Sequence, residues 1–332
     1  MVEHQKLPKL DLNITNRCNL RCKHCAFDSG VEQMSEMSLE KILEVLHQTR
    51  ELGGSKVDIT GGEPTLRDDY LKIIKGAKEM GYQVELVTNS LRLDHSTLKT
   101  LHSLDLDSLA VSLDGYTWQT HGLIRNTSSE EFEKVVRNIS DAVNLGIKTK
   151  INTLACQENM EEIPRIIQLG EEKGVKEVGL YYFTPVGRGA HQNLHSVEPL
   201  TWLRFVRERL DREYTLKVSL EIPLIEKELY SPKMGCIWDV DPFHLQILPE
   251  GKTYPCAIMA SYHLPIGNLY HQNISEIWKD ESVWSRYHSQ LEGHFNRNKG
   301  GCVAFRDFDL KDYPGYSFVC PLRKYSPQEV RR

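Results

Sequence analysis

Residues 56–89 read KVDITGGEPTLRDDYLKIIKGAKEMGYQVELVTN and contain one complete β/α/β unit. Lys56–Thr60 and Gln83–Asn89 are short runs rich in apolar and β-branched residues, whereas the apolar residues of Asp69–Met80 recur at helical spacing. Gly81 directly follows the helical stretch, at the position that glycine commonly takes at helix C-termini. The stretch therefore predicts a strand, a helix and a second strand parallel to the first.

This alternation of strands and helices continues through the first two thirds of the chain. Strands are predicted at Leu10–Thr15, Lys56–Thr60, Gln83–Asn89, Ser108–Leu113, Lys148–Leu154 and Glu177–Phe183. Helices are predicted at Leu39–Leu52, Asp69–Met80, His95–His102, Glu130–Leu145 and Met160–Lys173. Repeated β/α units of this kind predict the α/β class, with a partial (β/α)6 TIM-type barrel over residues 1–215.

After the helical stretch Trp202–Arg212 the regular alternation ends. Residues 216–332 hold many aromatic residues and a hairpin pattern, in which Pro249-Glu250-Gly251 joins Phe243–Leu248 to Lys252–Pro255. We therefore expect a second, small α+β domain over residues 216–332. The connection to it is not rich in glycine and serine, so this domain is expected to pack on the barrel.

The composition excludes several broad classes of protein. Of the 332 residues 40% are hydrophobic and 26% are charged, which allows a large core and excludes global disorder. The 41 basic and 46 acidic side chains give a net charge of −5, so nucleic acid is not an expected partner. No apolar run approaches the roughly 20 residues that span a bilayer, and the polar start MVEHQKLPKL does not match a secretory signal. We therefore expect a cytoplasmic protein with no membrane partner.

The eight cysteines indicate a metal or cluster site rather than disulfides, because the chain is large and is not expected to be secreted. Cys18, Cys22 and Cys25 lie in the loop after the first predicted strand, and such loops carry the active sites of β/α barrels. Three thiolates are one ligand short of a tetrahedral zinc site, whereas on a [4Fe–4S] cluster they leave one iron open to an outside ligand. A zinc knuckle with His24 as the fourth ligand is the alternative.

The spacing Cys18-x3-Cys22-x2-Cys25, with Gly61-Gly62-Glu63-Pro64 at the end of the second strand, resembles the signature of radical S-adenosylmethionine (SAM) enzymes. The resemblance implies a [4Fe–4S] cluster whose open iron binds the amino and carboxylate groups of SAM. One electron from the reduced cluster then releases a 5′-deoxyadenosyl radical, which abstracts a hydrogen atom from the substrate. An external reductant such as flavodoxin or ferredoxin is the implied partner.

The same resemblance implies which groups contact SAM. Thr88-Asn89-Ser90 is similar to the family's Thr-Asn-Gly step, with Ser90 in place of glycine. Arg125 occupies a position where the family often binds the SAM carboxylate, and a planar guanidinium suits that group. The implied cofactor contacts are Phe27, Gly61, Gly62, Glu63, Pro64, Thr88, Asn89, Ser112, Asp114, Arg125 and Asn152. A surface charge is the alternative for Arg125, core packing for Phe27 and a structural cap for Asn152.

A second set of cysteines lies in the C-terminal third. Cys236 is followed by fourteen residues, Gly251, four residues and Cys256, with Cys302 and Cys320 further on. This spacing resembles the C-terminal extensions called SPASM and twitch domains, and it implies one auxiliary [4Fe–4S] cluster with Cys236, Cys256, Cys302 and Cys320 as its four ligands. A structural zinc site and unligated buried cysteines are the alternatives.

The expected activity is a radical SAM reaction with net oxidation or maturation of a peptide, a protein or a natural-product or cofactor precursor. The phrase Tyr182–Gly189 resembles one frequent in the peptide- and haem-modifying branches, although the short segment before the first strand leaves no room for an N-terminal peptide-recognition domain. The runner-up is a radical epimerase of a peptide or aminoglycoside, with Cys156 as the hydrogen donor. The alternative for Cys156 is the role of an inert, buried apolar residue. An iron–sulfur electron-transfer protein and a zinc-stabilised binding module are the alternatives from other classes.

Overall fold

The computed structural model describes residues 6–30, 35–229, 244–261, 265–283, 285, 312–320 and 324–330. The strands are β1 (Lys9–Asn13), β2 (Lys56–Thr60), β3 (Gln83–Thr88), β4 (Ser108–Ser112), β5 (Thr149–Ala155), β6 (Glu177–Tyr182), β7 (Lys217–Glu221), β8 (Leu224–Glu226), β9 (His244–Ile247), β10 (Lys252–Tyr254), β11 (Gly267–Asn268), β12 (Tyr316–Phe318) and β13 (Lys324–Tyr325). The α-helices are α1 (Leu39–Glu51), α2 (Tyr70–Glu79), α3 (His95–Ser103), α4 (Trp118–Arg125), α5 (Ser129–Asn144), α6 (Ile163–Lys173), α7 (Pro199–Arg209), α8 (Ala257–Ser261) and α9 (Ile274–Lys279). In these residues no helix is both long and apolar enough to cross a bilayer.

One sheet forms the centre of the described fold, in the order β11-β10-β9-β1-β2-β3-β4-β5-β6-β7-β13. Strands β1 to β7 pair in parallel with their sequence neighbours, and helices connect most of them, as in a partial TIM-type barrel. The α/β prediction is confirmed, and each of the six predicted barrel strands is found within two residues of its expected ends.

The sheet continues beyond the six predicted strands. Strand β7 pairs in parallel with β6, and β9 pairs in parallel with β1 on the opposite side of the sheet. The predicted hairpin is present as β9 and β10, which are antiparallel. A division of the chain at residue 215 stays a prediction, since strands from both sides of that residue share this sheet.

Helix α4 was not predicted, and it changes the setting of Arg125. Thr117 caps its N-terminus by accepting the Thr120 N–H, and Asn126 ends it in the left-handed conformation. Trp118 and Leu123 on this helix are exposed, so its apolar residues do not form the one-sided pattern that reveals a helix in the sequence. Arg125 therefore lies in the last turn of a helix rather than in a loop.

The two faces of the barrel strands differ in polarity. Leu10 and Leu12 of β1 are fully buried in the main apolar core, which also contains the buried residues of the surrounding helices. The alternating residues Lys9 and Asp11 instead form ion pairs, and Lys9 Nζ also lies 2.6 Å from Asp58 on β2. The apolar core thus lies between sheet and helices, and the inner face of the barrel is polar.

Ser90 replaces the glycine of the Thr-Asn-Gly step that the sequence resembles. It adopts the left-handed conformation, with φ of 63°. Its hydroxyl is buried without a hydrogen-bond partner. We predict that Ser90→Gly raises the free energy of unfolding of the metal-free protein by about 0.5–1 kcal/mol, because relief of left-handed strain outweighs the extra chain entropy of glycine. Urea unfolding measures this. Ser90→Ala is the control: it removes the same unpaired hydroxyl but keeps a Cβ in the left-handed conformation, so it should gain less than Ser90→Gly. A less stable Ser90→Gly protein would contradict the prediction.

Candidate active site

A cavity of about 390 Å³ opens at the C-terminal ends of the barrel strands. The sequence-predicted site residues that line it are Cys18, Cys22, Cys25, Phe27, Gly61, Gly62, Thr88, Asn89, Ser112, Arg125 and Asn152. They lie in the loops after β1 and β2, at the ends of β3 and β4, in helix α4 and within β5, which are far apart in the sequence. This convergence follows from the parallel arrangement, which brings the C-terminal ends of all these strands to one edge of the sheet.

The three cysteines lie in the loop after β1, which two short backbone contacts close. The Cys18 N–H donates to the Gly30 carbonyl at 2.7 Å, and the Cys25 N–H donates to the Cys22 carbonyl at 3.3 Å. Two of the sulfur atoms accept backbone N–H groups, Cys18 Sγ from Leu20 and Cys25 Sγ from Ser29, each at 3.4 Å. Hydrogen bonds of this kind to the ligand sulfurs are typical of iron–sulfur sites.

Burial affects the protonation of these thiols. It raises the pKa of Cys18 to about 12 and that of Cys22 to about 11, although the Arg125 and Arg188 guanidiniums oppose the increase at Cys22. The Cys18 and Cys22 thiols of the metal-free protein are therefore protonated at neutral pH and must release protons when they bind a metal or cluster. His24 faces the buried Asp114 carboxylate instead, with 3.9 Å between His24 Nδ1 and Asp114 Oδ2.

Gly61 and Gly62 allow the end of β2 to pack directly against the cysteine loop. A Cβ atom on Gly61 would lie 2.4 Å from the Thr15 carbonyl oxygen, and one on Gly62 would lie 2.3 Å from that of Arg17. Gly61 also has φ of 144°, which side chains disfavour. Because any larger residue would push the two loops apart, the glycine pair fixes its own backbone beside the cysteines.

Glu63, the next residue of the same motif, binds other protein groups rather than facing the cavity. Its carboxylate is fully buried and accepts hydrogen bonds from Thr65, from the Thr88 hydroxyl at 2.7 Å and from the Asn89 N–H at 2.8 Å. Burial raises the pKa of Glu63 above its ordinary value, although all these donors favour the charged form. Glu63 thus joins the ends of β2 and β3. Neither Glu63 nor Pro64 lines the cavity, whereas Thr88 and Asn89 do.

Arg125 and Asp114 form a buried ion pair at the wall of the cavity. Arg125 Nε lies 2.6 Å from Asp114 Oδ2, although the angle is not that of a hydrogen bond, and Arg125 Nη1 lies 3.9 Å from Cys22 Sγ. Burial alone would raise the pKa of Asp114, but the Arg125 guanidinium and, less strongly, His24 hold that pKa below its usual range. Asp114 also accepts the Leu154 N–H at 2.7 Å. It lies behind Arg125 and is not part of the cavity lining.

The second cysteine set is partly within the described residues. Cys236 and Cys302 lie outside them, whereas Cys256 and Cys320 are both buried. Burial raises the pKa of Cys256 to about 12, and the nearby Cys320 thiol contributes to the increase. Ala257 and Ile258, which directly follow Cys256, line the cavity of the first cysteine set. The fold therefore brings two of the four predicted auxiliary ligands together beside this cavity.

Cys156 is not itself part of the cavity lining. It is fully buried in a small apolar cluster with Ile124, Phe183 and Leu194, and burial raises the pKa of its thiol. Its backbone N–H donates to Asn159 Oδ1 at 3.0 Å. The hydrogen-donor role of Cys156 stays a prediction, and these surroundings match those of an inert buried cysteine.

We predict that Cys156→Ala lowers the free energy of unfolding by about 1 kcal/mol, because it removes one buried apolar group, and that it leaves SAM cleavage unchanged. Asn159→Ala is the matched comparison. Its amide donates to the carbonyls of Asp114 and Leu154, so its loss should cost about 2–4 kcal/mol. Urea unfolding and release of 5′-deoxyadenosine measure the two effects. Loss of SAM cleavage in Cys156→Ala would contradict the inert assignment.

Several residues that line the cavity were not predicted from the sequence, namely Leu20, Tyr181, Glu221 and Arg188. Glu221 lies on β7, its Oε2 accepts the Tyr182 N–H at 3.0 Å, and its Oε1 pairs with Lys324 Nζ at 3.0 Å. Arg188 belongs to the phrase Tyr182–Gly189, in which a Gly-Arg pair after a strand is the sequence signal for a side chain at this edge.

Comparison with known proteins agrees with this geometry. The profile of the radical SAM superfamily matches residues 12–170, and that of SPASM, an iron–sulfur cluster-binding domain, matches residues 236–302. The chain is 31% identical to the probable GTP 3′,8-cyclase of Saccharolobus solfataricus over 68% of this chain and 70% of that protein. It is 26% identical to the Fe-coproporphyrin III synthase of Methanosarcina barkeri over 83% of this chain and 75% of that protein.

Solved structures share the fold at low sequence identity. Streptococcus suis SuiB, bound to S-adenosylmethionine, superposes with a TM-score of 0.73 and 18% identity, over 91% of this chain and 72% of SuiB. The protein anSMEcpe with bound AdoMet gives a TM-score of 0.63 and 17% identity, over 84% of this chain and 79% of the other. These likenesses support the barrel with its C-terminal extension.

Proposed function

Because this chain belongs to the radical SAM superfamily and carries a SPASM domain, with a SAM-binding [4Fe–4S] cluster and an auxiliary iron–sulfur cluster, we propose that it catalyses a net oxidation or maturation of its substrate. One observation carries the proposal. A single cavity is lined both by Cys18, Cys22 and Cys25 and by the residues that directly follow Cys256. A substrate bound there would lie between the site where a hydrogen atom is abstracted and a site that accepts an electron.

The residues around the first cysteine set suit SAM. The three thiols would hold the cluster, which with SAM supplies a 5′-deoxyadenosyl radical when reduced. Arg125, fixed by Asp114, would bind the SAM carboxylate, and the exposed backbone of Gly61 and Gly62 would face its amino group. Phe27 and Leu20 line the same space and would exclude water from the radical. An external reductant such as flavodoxin or ferredoxin would deliver the electron.

The substrate side of the cavity is mainly apolar and aromatic. Tyr181, Phe183, Val186 and Ile258 line it, and Glu221 is the charged group there whose partner, Lys324, comes from β13. An apolar or aromatic moiety fits this lining, as a peptide side chain or a tetrapyrrole edge would provide. One relative is named for a coproporphyrin product, and SuiB has been crystallised with its precursor peptide. Either substrate class is consistent with the proposed oxidation.

Oxidation is favoured over epimerisation by the two cysteine environments. Epimerisation needs a thiol that returns a hydrogen atom to the substrate, and Cys156 does not line the cavity but is buried behind the lining residue Phe183. Oxidation needs an electron acceptor, and the segment of Cys256 reaches the cavity wall. An electron-transfer protein would have no use for a cavity that is large enough for a ligand beside its cluster.

Anaerobic reconstitution with iron and sulfide tests the proposal. We expect about eight irons per chain and, with dithionite and SAM, the release of 5′-deoxyadenosine measured by mass spectrometry. A variant with alanine at Cys236, Cys256, Cys302 and Cys320 should keep about four irons and at least part of this cleavage, yet form no product from a substrate that the wild type converts. A wild-type protein that binds iron but does not cleave SAM would refute the proposal in favour of electron transfer.

A further inference from the structure

Arg188 lies in the short helix after β6 and is almost fully buried against the cysteine loop. Its Nη1 donates to the Cys22 carbonyl at 2.9 Å, and its Nε donates to Asp28 Oδ1 at 2.7 Å. Its Nη2 donates to the Ser29 carbonyl. Every nitrogen of the guanidinium therefore contacts residues 22–29, although Arg188 is about 160 positions away in the chain.

The backbone around Arg188 is also built against this loop. The Arg188 N–H donates to the Cys25 carbonyl at 2.9 Å. Gly187 has φ of 56°, and a Cβ atom there would lie 2.1 Å from the Ala26 carbonyl oxygen, so only glycine allows this approach. From the other side, the Ser261 hydroxyl donates to the same Ala26 carbonyl at 3.1 Å. The loop is thus held between the segments that follow β6 and Cys256.

The charge of Arg188 is well placed to act on the thiolates. Its partner Asp28 has a side chain that is 63% exposed, so water screens that carboxylate, whereas the guanidinium is only 8% exposed. Arg188 lines both the cavity of the three cysteines and a second, polar cavity, which is also lined by Arg21, Asp28 and His191. A positive charge held beside the ligands of a cluster stabilises the reduced, more negative state of that cluster.

We propose that Arg188 is a positioning residue for the SAM-binding cluster. Its side-chain hydrogen bonds hold the backbone of Cys22 and Ser29, and with it the loop that carries Cys22 and Cys25, in the geometry of ligands. Its fixed charge favours the reduced state from which SAM is cleaved. The inference rests on the proposed function through the assignment of Cys18, Cys22 and Cys25 as ligands. It also explains why a Gly-Arg pair follows the sixth strand.

Arg188→Gln and Arg188→Lys separate the two parts of this proposal, and Arg21→Gln is the matched control. Arg21 is exposed and lies 3.9 Å from the same Asp28 carboxylate, but it does not bind the loop carbonyls in the way Arg188 does. Circular dichroism first confirms that each variant is folded. The rates at which iodoacetamide alkylates Cys22 and Cys25 in the metal-free proteins then report how well the loop is held.

We expect alkylation to be at least about tenfold faster in both Arg188 variants, because loss of the two hydrogen bonds to the Cys22 and Ser29 carbonyls, at about 1 kcal/mol each, frees the loop. After reconstitution, the midpoint potential of the cluster whose EPR signal responds to SAM should be more negative in Arg188→Gln. In Arg188→Lys, which keeps the charge, it should stay near the wild-type value. Arg21→Gln should match the wild type in both measurements.

Wild-type alkylation rates and potential in Arg188→Gln would overturn the inference and leave the proposed function intact. A wild-type protein that binds no cluster would instead refute the proposed function, and with it the effect of Arg188 on the potential. The alkylation rates of the metal-free proteins would still decide whether Arg188 holds the loop.

Discussion

Replacing Cys18, Cys22 and Cys25 together by alanine should remove about four of the roughly eight irons of the reconstituted chain and should abolish SAM cleavage. The three thiols line one cavity beside the Gly61-Gly62 backbone. Thiolates are the soft ligands that iron–sulfur clusters prefer, so we expect these three to hold the cluster. Without them the open iron that would bind SAM is lost. Iron per chain and 5′-deoxyadenosine per hour measure the two effects.

Cys156→Ala is the matched control for this experiment, because it removes a buried cysteine that lines no cavity. It should retain the iron content of the wild type and its cleavage of SAM. A triple variant with unchanged iron content would show that the ligands were assigned wrongly. One that loses all its iron would show that the auxiliary site does not assemble independently.

The sequence is informative wherever the signal is local. Strands β2, β3, β5 and β6 are short apolar runs that each follow a glycine at the end of a helix, so their positions follow from neighbouring residues. The place of the Gly61-Gly62 pair follows in turn, because it directly follows β2, and that of Cys18 follows because it lies in the loop after β1. Helix α4 escaped prediction because exposed Trp118 and Leu123 blur its apolar face.

The rest depends on contacts between residues that are distant in the chain. Nothing beside Asp114 in the sequence shows that its carboxylate accepts the Leu154 N–H and faces Arg125 instead of the cavity. Arg188 likewise could not be joined to Cys22 without the fold, which brings the loop after β6 against the loop after β1. Sequence patterns predict the ligands of a site of this kind, and the tertiary structure shows which residues contact the loop that carries them.

Replacing Arg125 by glutamine should weaken SAM binding to the reconstituted protein by about 10- to 150-fold. The reason is that the charge-assisted hydrogen bond from the guanidinium to the SAM carboxylate should contribute about 1.5–3 kcal/mol. Arg125 lines the cavity, and its ion pair with the buried Asp114 fixes the position of its guanidinium. Equilibrium dialysis with labelled SAM measures the affinity. Arg165→Gln is the control, since Arg165 stacks on Tyr116 and is not part of the cavity lining.

The single substitution also leaves Asp114 buried without its partner, which should cost about 3–5 kcal/mol of stability. The double variant Arg125→Gln/Asp114→Asn removes both charges, and its asparagine can still accept the Leu154 N–H. Urea unfolding should therefore show most of the stability restored in the double variant, while its affinity for SAM stays as low as in Arg125→Gln. Recovery of affinity together with stability would mean that Arg125 supports the cavity wall and does not bind SAM. The single variant Asp114→Asn keeps the Arg125 guanidinium at the cavity, so this protein should lose stability and still bind SAM. These variants together separate Arg125, which binds the cofactor, from Asp114, which positions Arg125.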